Sequence, residues 1–251
     1  MLTQSPNTQR LHQQIADQIV DLIRSKKFVP GGRLPAERDL ARQFAVSRPT
    51  VREALIALEI AGLIEVRTGS GAYVTLAGAA SSANAAAAKI ADTGPSPFEL
   101  LTARRAIEPS CAALAASTAN KKDLAAIHDA YELNERHFNG THWERLEADR
   151  QFHLRIAEAT HNGMIIRMVG ELWMDMFGPI FAVLSERTQV TQKKALTMQD
   201  HRTILNCLER RDAAGAASAM LTHIVHAEIK LLRATVSPTK RKRKGSNGNR
   251  R

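Results

Sequence analysis

Apolar residues recur at helical spacing along most of the chain, and the first such segment covers residues 9–26. Within it, Leu11, Ile15 and Ile19 lie four residues apart, as on one face of an amphipathic helix. The next elements are predicted to be a helix at 36–44, a tight turn at 45–47, a helix at 48–61, and a hairpin with strands at 63–67 and 72–75.

The polar residues around the second short helix support this assignment. Ser47 occupies an N-cap position, and Pro49 lies in the first turn, where its missing N–H does no harm. The inward positions of the two helices are all apolar: Leu40, Phe44, Val46, Val51, Leu55 and Leu58. Two helices with one core and a following hairpin predict a helix-turn-helix with a wing.

This segment also carries groups suited to DNA. Arg48 and Arg52 are four residues apart and share a helix face, at the end that enters the major groove in this motif. The glycines of the wing tip, residues 68–71, allow close approach of backbone to phosphate. The arginine pair alone would favour the solvated face of a helical hairpin. Its combination with the cap, the turn and the glycine wing favours DNA binding.

Beyond the hairpin the chain changes character. Residues 77–97 are rich in Ala, Ser, Gly and Pro, which is typical of a linker and leaves room for a helical spacer. The remaining pattern predicts helices at about 98–119, 121–138, 141–160, 164–187 with a bend near 178–179, 193–210 and 212–235. The expected domains are a disordered 1–7, a winged domain 8–76, the linker 77–97, a helical bundle 98–235 and a disordered basic tail 236–251.

Composition refines this picture. The 251 residues suffice for two domains, and 4% aromatic content suits packed helices. Seven of the ten excess positive charges lie in residues 236–251, so the body of the chain is only mildly basic. Cys111 and Cys207 fall in apolar helical patterns and predict two buried thiols of a reduced compartment. A signal peptide and a membrane-length apolar run are lacking, so a cytoplasmic protein without membrane contact is expected, nucleoid-associated when bound to its operator.

Four residues of the second domain have metal-ligating chemistry. Asp149 and His153 are four apart and project from one helix face, while His201 and His223 lie beside later apolar stripes. One carboxylate and three imidazoles suit a borderline divalent ion. Each histidine taken alone is more often a satisfied core or surface residue, and an Asp/His pair four apart is a weak signal, so the spacing leaves both interpretations open.

The stretch LPAERDLARQFAVSRPTVREALIALEIAGLIEVRTGSG, residues 34–71, resembles the winged helix of GntR-family bacterial transcription regulators without gaps. The resemblance implies DNA contacts at positions matching the FadR-type members: Arg38, Arg48, Thr50, Arg52 and Gly69.

Residues 98–233 resemble the all-helical FCD effector domain of the same FadR-type subfamily. The resemblance implies a divalent metal site at Asp149, His153, His201 and His223, with zinc first and nickel, manganese or cobalt as alternatives. It also implies that Arg104 faces a cavity for a small carboxylate effector. A surface pair between Arg104 and Glu108 is the competing interpretation. The stretches EVRTGSGAYV, GPSPFELLTARRAIEPS and DRQFHLRIAEATHN are most similar to those of hexuronate-operon repressors.

The expected fold is therefore mostly α, an N-terminal winged helix-turn-helix joined to an all-α FCD-type antiparallel helical bundle. The expected function is a repressor controlled by a sugar acid, acting as a homodimer on a double-stranded operator with a short inverted repeat. Three alternatives remain: the same regulator type with another organic acid, a metal-dependent enzyme on a small carboxylate, and a nucleoid-type binder that works through the basic tail.

Overall fold

The computed structural model describes residues 10–67, 70–91, 93–188 and 194–236. Its N-terminal elements are α1 (Leu11–Arg24), α2 (Glu37–Phe44), α3 (Arg48–Ile60), β1 (Ile64–Arg67), β2 (Gly71–Val74), α4 (Leu76–Ala80) and α5 (Ala83–Ala91). The C-terminal elements are α6 (Pro97–Thr118), α7 (Lys121–Arg136), α8 (His142–Glu158), α9 (Gly163–Asp175), α10 (Pro179–Thr188), α11 (Lys194–Glu209) and α12 (Ala213–Val236). The predicted fold class is confirmed. The segments expected to be disordered, 1–7 and 236–251, lie outside the described residues except for Val236, which ends α12.

Helices α1, α2 and α3 pack together and carry the hairpin as a wing. Leu40, Val51 and Leu58 are fully buried between them, as their spacing predicts. The turn between α2 and α3 is closed by Ala45, whose φ of 54° places it in the left-handed region that ends many helices. Strands β1 and β2 pair antiparallel, with Ile64 opposite Val74. The local signals of cap, turn and hairpin are thus all realised.

The segment between the two expected domains folds against the winged helix. Helix α4 contacts α1, and α5 contacts both α1 and α3. Ala86 and Ile90 of α5 are buried in the same core as the residues of α1. The helical spacer that the alanine-rich sequence allowed is therefore packed onto the DNA-binding part of the chain, because its small apolar side chains offer a surface that α1 can cover.

The C-terminal helices surround a second packed region. Helix α6 lies against α12 and α8, and α11 lies against α12 and α7. The single bent helix predicted at 164–187 is wrong in detail, since α9 ends at Asp175 and Pro179 begins a separate helix, α10. Proline at a first helical position starts a new helix more readily than it continues an old one.

Two smaller expectations can be compared with this fold. Cys111 is buried as predicted, whereas Cys207 is only partly buried, because it lies in the last turn of α11 beside a surface loop. Among the described residues, none of the helices combines the length and apolar character needed to cross a membrane.

Candidate functional site

The N-terminal end of α3 is open and capped. Ser47 accepts a hydrogen bond from the backbone N–H of Thr50 at 3.2 Å, and the hydroxyls of the two residues lie 2.8 Å apart. Arg48 is exposed directly beside this cap. The cap fixes the first turn of α3, so Arg48 projects from a rigid helix end, as a residue that reads DNA in this motif must.

The other predicted DNA contacts differ in how freely they can move. Arg38 is exposed on α2. Arg52 instead forms a two-pronged ion pair with Glu37 of α2, with Nε donating to Oε1 at 2.7 Å and Nη2 donating to Oε2. This fork leaves 18% of the Arg52 side chain exposed. Gly69 at the wing tip lies outside the described residues.

The four candidate metal ligands meet at one point inside the helical bundle, although they come from α8, α11 and α12. His201 Nε2 lies 3.0 Å from Asp149 Oδ1 and 3.4 Å from His223 Nε2. His153 Nε2 lies 3.2 Å from His223 Nε2 and 3.8 Å from Asp149 Oδ1. The three imidazoles are buried, and the donor atoms of all four residues lie within 4.8 Å of one another.

The spacing and charge of these groups fit a divalent cation. Donors held about 2.0–2.1 Å from a zinc ion in a tetrahedron lie roughly 3.3 Å apart, close to the observed separations. Asp149 Oδ1 is buried and lies among the Nε2 atoms of His201 and His153, as expected of a carboxylate oxygen that shares a cation with imidazoles. Burial raises the pKa of Asp149, but the three histidines outweigh it and bring the pKa below its ordinary value. The carboxylate is therefore ionised.

The imidazoles of His223 and His153 also suit metal binding. Burial, together with repulsion from His201, lowers the pKa of His223 to about 4. A neutral imidazole has a free lone pair, which is the form that binds metals. His153 has its Nδ1 against Oε2 of Glu108, a contact that orients the ring and leaves Nε2 for the cluster centre. Phe152 stacks on His201 with centroids 4.4 Å apart.

Arg104 lies beside this cluster and is 1% exposed. The competing interpretation, a surface pair with Glu108, is half right: Nε donates to Oε1 of Glu108 at 2.6 Å, but both side chains are buried. The Arg104 guanidinium also covers the ring of Trp173 at 4.0 Å, and its Nη1 faces the sulfur of Met176 at 3.2 Å. Burial raises the pKa of Glu108, but the charges of Arg104 and His153 outweigh it and hold that pKa well below its ordinary value.

Several residues of this centre escaped sequence reasoning. The sequence identifies Glu108 only as a surface partner of Arg104 and indicates no role for Trp173 or Met176. Asp200, whose Oδ2 lies 3.7 Å from His223 Nδ1, directly precedes the ligand candidate His201. An acidic residue next to a ligand candidate is a weak sequence signal that it contacts the site. The positions of Glu108, Trp173 and Met176 depend on how α6 and α9 pack.

Comparison with known proteins identifies both parts of the chain. Residues 11–74 match the family of bacterial regulatory proteins called gntR, and residues 99–226 match the FCD domain. The chain is 37% identical over 229 residues to the Uxu operon transcriptional regulator of Escherichia coli K12, covering 90% of this chain and 88% of that protein.

Two further relatives are similar over most of their length. The Uxu operon regulator of Haemophilus influenzae is 35% identical over 202 residues, which cover 80% of this chain and 74% of that protein. The Exu regulon transcriptional regulator of E. coli K12 is 34% identical over 229 residues, which cover 90% and 86% respectively. These relatives are transcriptional regulators, which confirms the prediction of a DNA-binding regulator and excludes the enzyme interpretation. The chain belongs to the GntR family of bacterial transcription regulators and carries an FCD domain behind its winged helix.

Proposed function

We propose that this regulator is a repressor of sugar-acid metabolism whose operator binding is controlled by a hexuronate. The carrying observation is the convergence of Asp149, His153, His201 and His223 on one buried point beside Arg104. The relatives named for the Uxu operon and the Exu regulon support the choice of ligand class. The metal expected at the four residues is zinc, with nickel, manganese or cobalt as alternatives.

The residues around the cluster suit a carboxylate ligand. A divalent ion supplies a Lewis-acid contact for a carboxylate oxygen. Glu108 occupies the Nε edge of the Arg104 guanidinium, whereas Nη1 faces the sulfur of Met176, which is a weak acceptor, and Nη2 lies 3.4 Å from His153. A ligand carboxylate would be a much stronger acceptor for that edge, with a charge-assisted hydrogen bond. The ligand carboxylate would therefore replace the Met176 sulfur as the acceptor of Arg104. The ion pair between Arg104 and Glu108 would remain.

The DNA-binding side of the proposal follows from symmetry. Two copies of the chain would place two α3 helices on the half-sites of an inverted repeat, with Arg38, Arg48, Thr50, Arg52 and Gly69 at the DNA. Arg48 would reach base edges or phosphates from the capped end of α3. Arg52 would act from the position in which Glu37 holds it. Effector binding changes operator affinity only to the extent that the ligand favours one arrangement of the two domains.

A thermal-shift screen tests the proposal. Metal-stripped and zinc-loaded protein would be compared with glucuronate, galacturonate, fructuronate, gluconate, galactonate and lactate. A ligand at 100 times its Kd stabilises by about 2.7 kcal/mol, which corresponds to roughly 5–10 °C in a chain of this size. We expect a hexuronate to produce this shift only with metal-loaded protein.

Two variants sharpen the result. His153→Ala should abolish the shift, and His128→Ala should keep it, because His128 is exposed on α7 and its imidazole pairs with Glu132 at 3.6 Å. If only lactate or gluconate shifts the midpoint, the chain is a ligand-responsive regulator, but its ligand is not a hexuronate. Equal shifts in stripped protein or in His153→Ala would contradict the metal site.

A further inference from the structure

Helix α3 carries a buried acid on the side that faces away from DNA. Glu53 is 3% exposed and belongs to the same helix as Arg48 and Arg52. Burial raises the pKa of Glu53 to about 7, although hydrogen bonds from the Ser96 side chain and the Phe98 backbone act in the opposite direction. A buried carboxyl group is costly unless it is hydrogen-bonded, so Glu53 requires a hydrogen-bond partner.

That partner lies outside the winged domain, at the N-terminal end of α6. The hydroxyl of Ser96 donates to Oε1 of Glu53 at 2.6 Å across 43 residues of sequence. Ser96 is itself 3% exposed and is the N-cap of α6, where its oxygen accepts from the backbone N–H groups of Phe98 and Glu99 at 3.2 Å each. The Ser96 side chain thus caps the N-terminal end of α6 and is hydrogen-bonded to the recognition helix α3.

Helix α6 connects this contact with the effector site. Arg104 and Glu108 lie in the same helix, eight and twelve residues after Ser96. At 1.5 Å per residue they are about 12 and 18 Å along the axis. Pro109 removes the helical hydrogen bond to the carbonyl of Arg105, so the unbroken part of the helix connects Ser96 with Arg104. A ligand that binds Arg104 therefore contacts α6, and the N-cap of α6 is hydrogen-bonded to α3.

We infer that the Ser96–Glu53 hydrogen bond couples the effector site to the recognition helix, with Glu53 and Ser96 as positioning residues for operator binding. The inference rests on the proposed function, because it requires a ligand at Arg104. A short buried hydrogen bond is either made or broken, so it can distinguish two arrangements of α6 against α3. Helices α10 and α12 also pack against α3 and offer a competing route through apolar contacts.

The test measures coupling rather than affinity alone. An operator fragment would be obtained by in vitro selection with the wild-type chain. Its Kd would then be measured by fluorescence anisotropy, with and without saturating glucuronate, galacturonate or fructuronate, on zinc-loaded protein. The ratio of the two values is the coupling, which is about 5- to 150-fold in typical allosteric proteins. The Kd of the same hexuronate for DNA-free protein would be measured by calorimetry.

Two variants remove the bond in different ways. Ser96→Ala deletes the donor, and Glu53→Met replaces the acid by an apolar side chain of similar length, which leaves no buried charge unpaired. We expect both to reduce the ratio to within about twofold of one, with the hexuronate Kd changed by less than about threefold. The double variant should lose no more than either single one, because the two side chains act as one contact.

Two controls separate the bond from general damage to a helix cap. Ser96→Thr keeps the hydroxyl and should restore the coupling. Ser82→Ala removes a comparable serine that accepts from Ala85 N–H at 3.3 Å and should leave the coupling intact. If either bond-breaking variant fails to fold, as judged by circular dichroism, the other still decides the question.

The outcomes are distinguishable. An undiminished ratio in Ser96→Ala and Glu53→Met, with hexuronate still bound, overturns the inference and favours the route through α10 and α12. A ratio that also collapses in Ser82→Ala overturns it as well, since the effect would then be unspecific. If no hexuronate binds the wild-type chain, the proposed function fails and the inference fails with it.

Discussion

The buried ion pair next to the candidate metal site allows the sharpest prediction. Glu108→Gln preserves the shape of the side chain but removes the charge that balances Arg104, whose side chain is 2% exposed. The glutamine can still accept a hydrogen bond, so the change isolates the loss of charge. We expect this variant to lose far more stability than its conservative chemistry suggests.

The magnitude follows from burial. Removing one partner of a buried ion pair costs about 3–5 kcal/mol, because the remaining charge stays in a medium that solvates it poorly. An exposed pair contributes only about 0–1 kcal/mol. Arg155 and Glu158 form such a pair at 2.6 Å with side chains 41% and 44% exposed, so Glu158→Gln is a matched control within the same domain.

The chain offers a local probe for this measurement. Its two tryptophans, Trp143 and Trp173, both lie in the C-terminal domain, and Trp173 contacts Arg104 directly. Urea unfolding followed by tryptophan fluorescence, in the presence of a chelator, therefore reports the domain that contains the pair. Zinc titration of the same variants adds a second measurement, since replacing the carboxylate that holds His153 by a neutral amide should weaken metal binding by about 10- to 100-fold.

The result that refutes this reasoning is clear. If Glu108→Gln unfolds within about 1 kcal/mol of the wild type, as Glu158→Gln should, then the Arg104 charge is solvated and not held in a dry site. An unchanged zinc affinity would separately contradict the orienting role of Glu108 toward His153.

Two other predictions concern the winged domain. Glu53 keeps its proton to a higher pH in the folded chain, about 7, than at its ordinary value of 4.5, so its contribution to stability is complete below pH 4.5 and is lost as pH rises toward 7. At about 1.4 kcal/mol for each unit between the two pKa values, the loss of unfolding free energy is roughly 3 kcal/mol. In urea unfolding, Glu53→Gln should not show this loss as the pH rises. A pH profile parallel to that of the wild type would contradict the prediction. Arg48→Ala should weaken operator binding by about 1–3 kcal/mol in anisotropy titrations if Arg48 reads a base. The control Arg136→Ala, at an arginine 62% exposed on α7, should have no effect. Equal losses in both variants would mean that the Arg48 contact is not specific.

Much of the winged helix was determined by local sequence. The apolar spacing in α2 and α3, the cap at Ser47 and the first-turn Pro49 act over a few residues, so they define helix ends without knowledge of the rest of the chain. The linker was harder to predict, because alanine-rich sequence forms a helix whether or not a partner covers it. Its packing against α1 depends on tertiary structure.

The candidate metal ligands were accessible to sequence only in part. Spacing placed Asp149 and His153 on one helix face, and family resemblance supplied His201 and His223. The convergence of donor atoms from three helices within 4.8 Å depends on how α8, α11 and α12 pack. Helical spacing specifies neighbours within a helix, but the relative rotation of two helices is set by the packing of many side chains.

The contacts that give this protein its electrostatic character were all decided by tertiary structure. Glu108 against His153, Glu37 against Arg52 and Ser96 against Glu53 join residues 45, 15 and 43 positions apart. The sequence by itself determined most of the helices, the helix-turn-helix and the chemical type of the candidate metal ligands. Only the folded chain decided which charges are buried together, because the energy of a buried charge depends on neighbours that long-range packing brings to it.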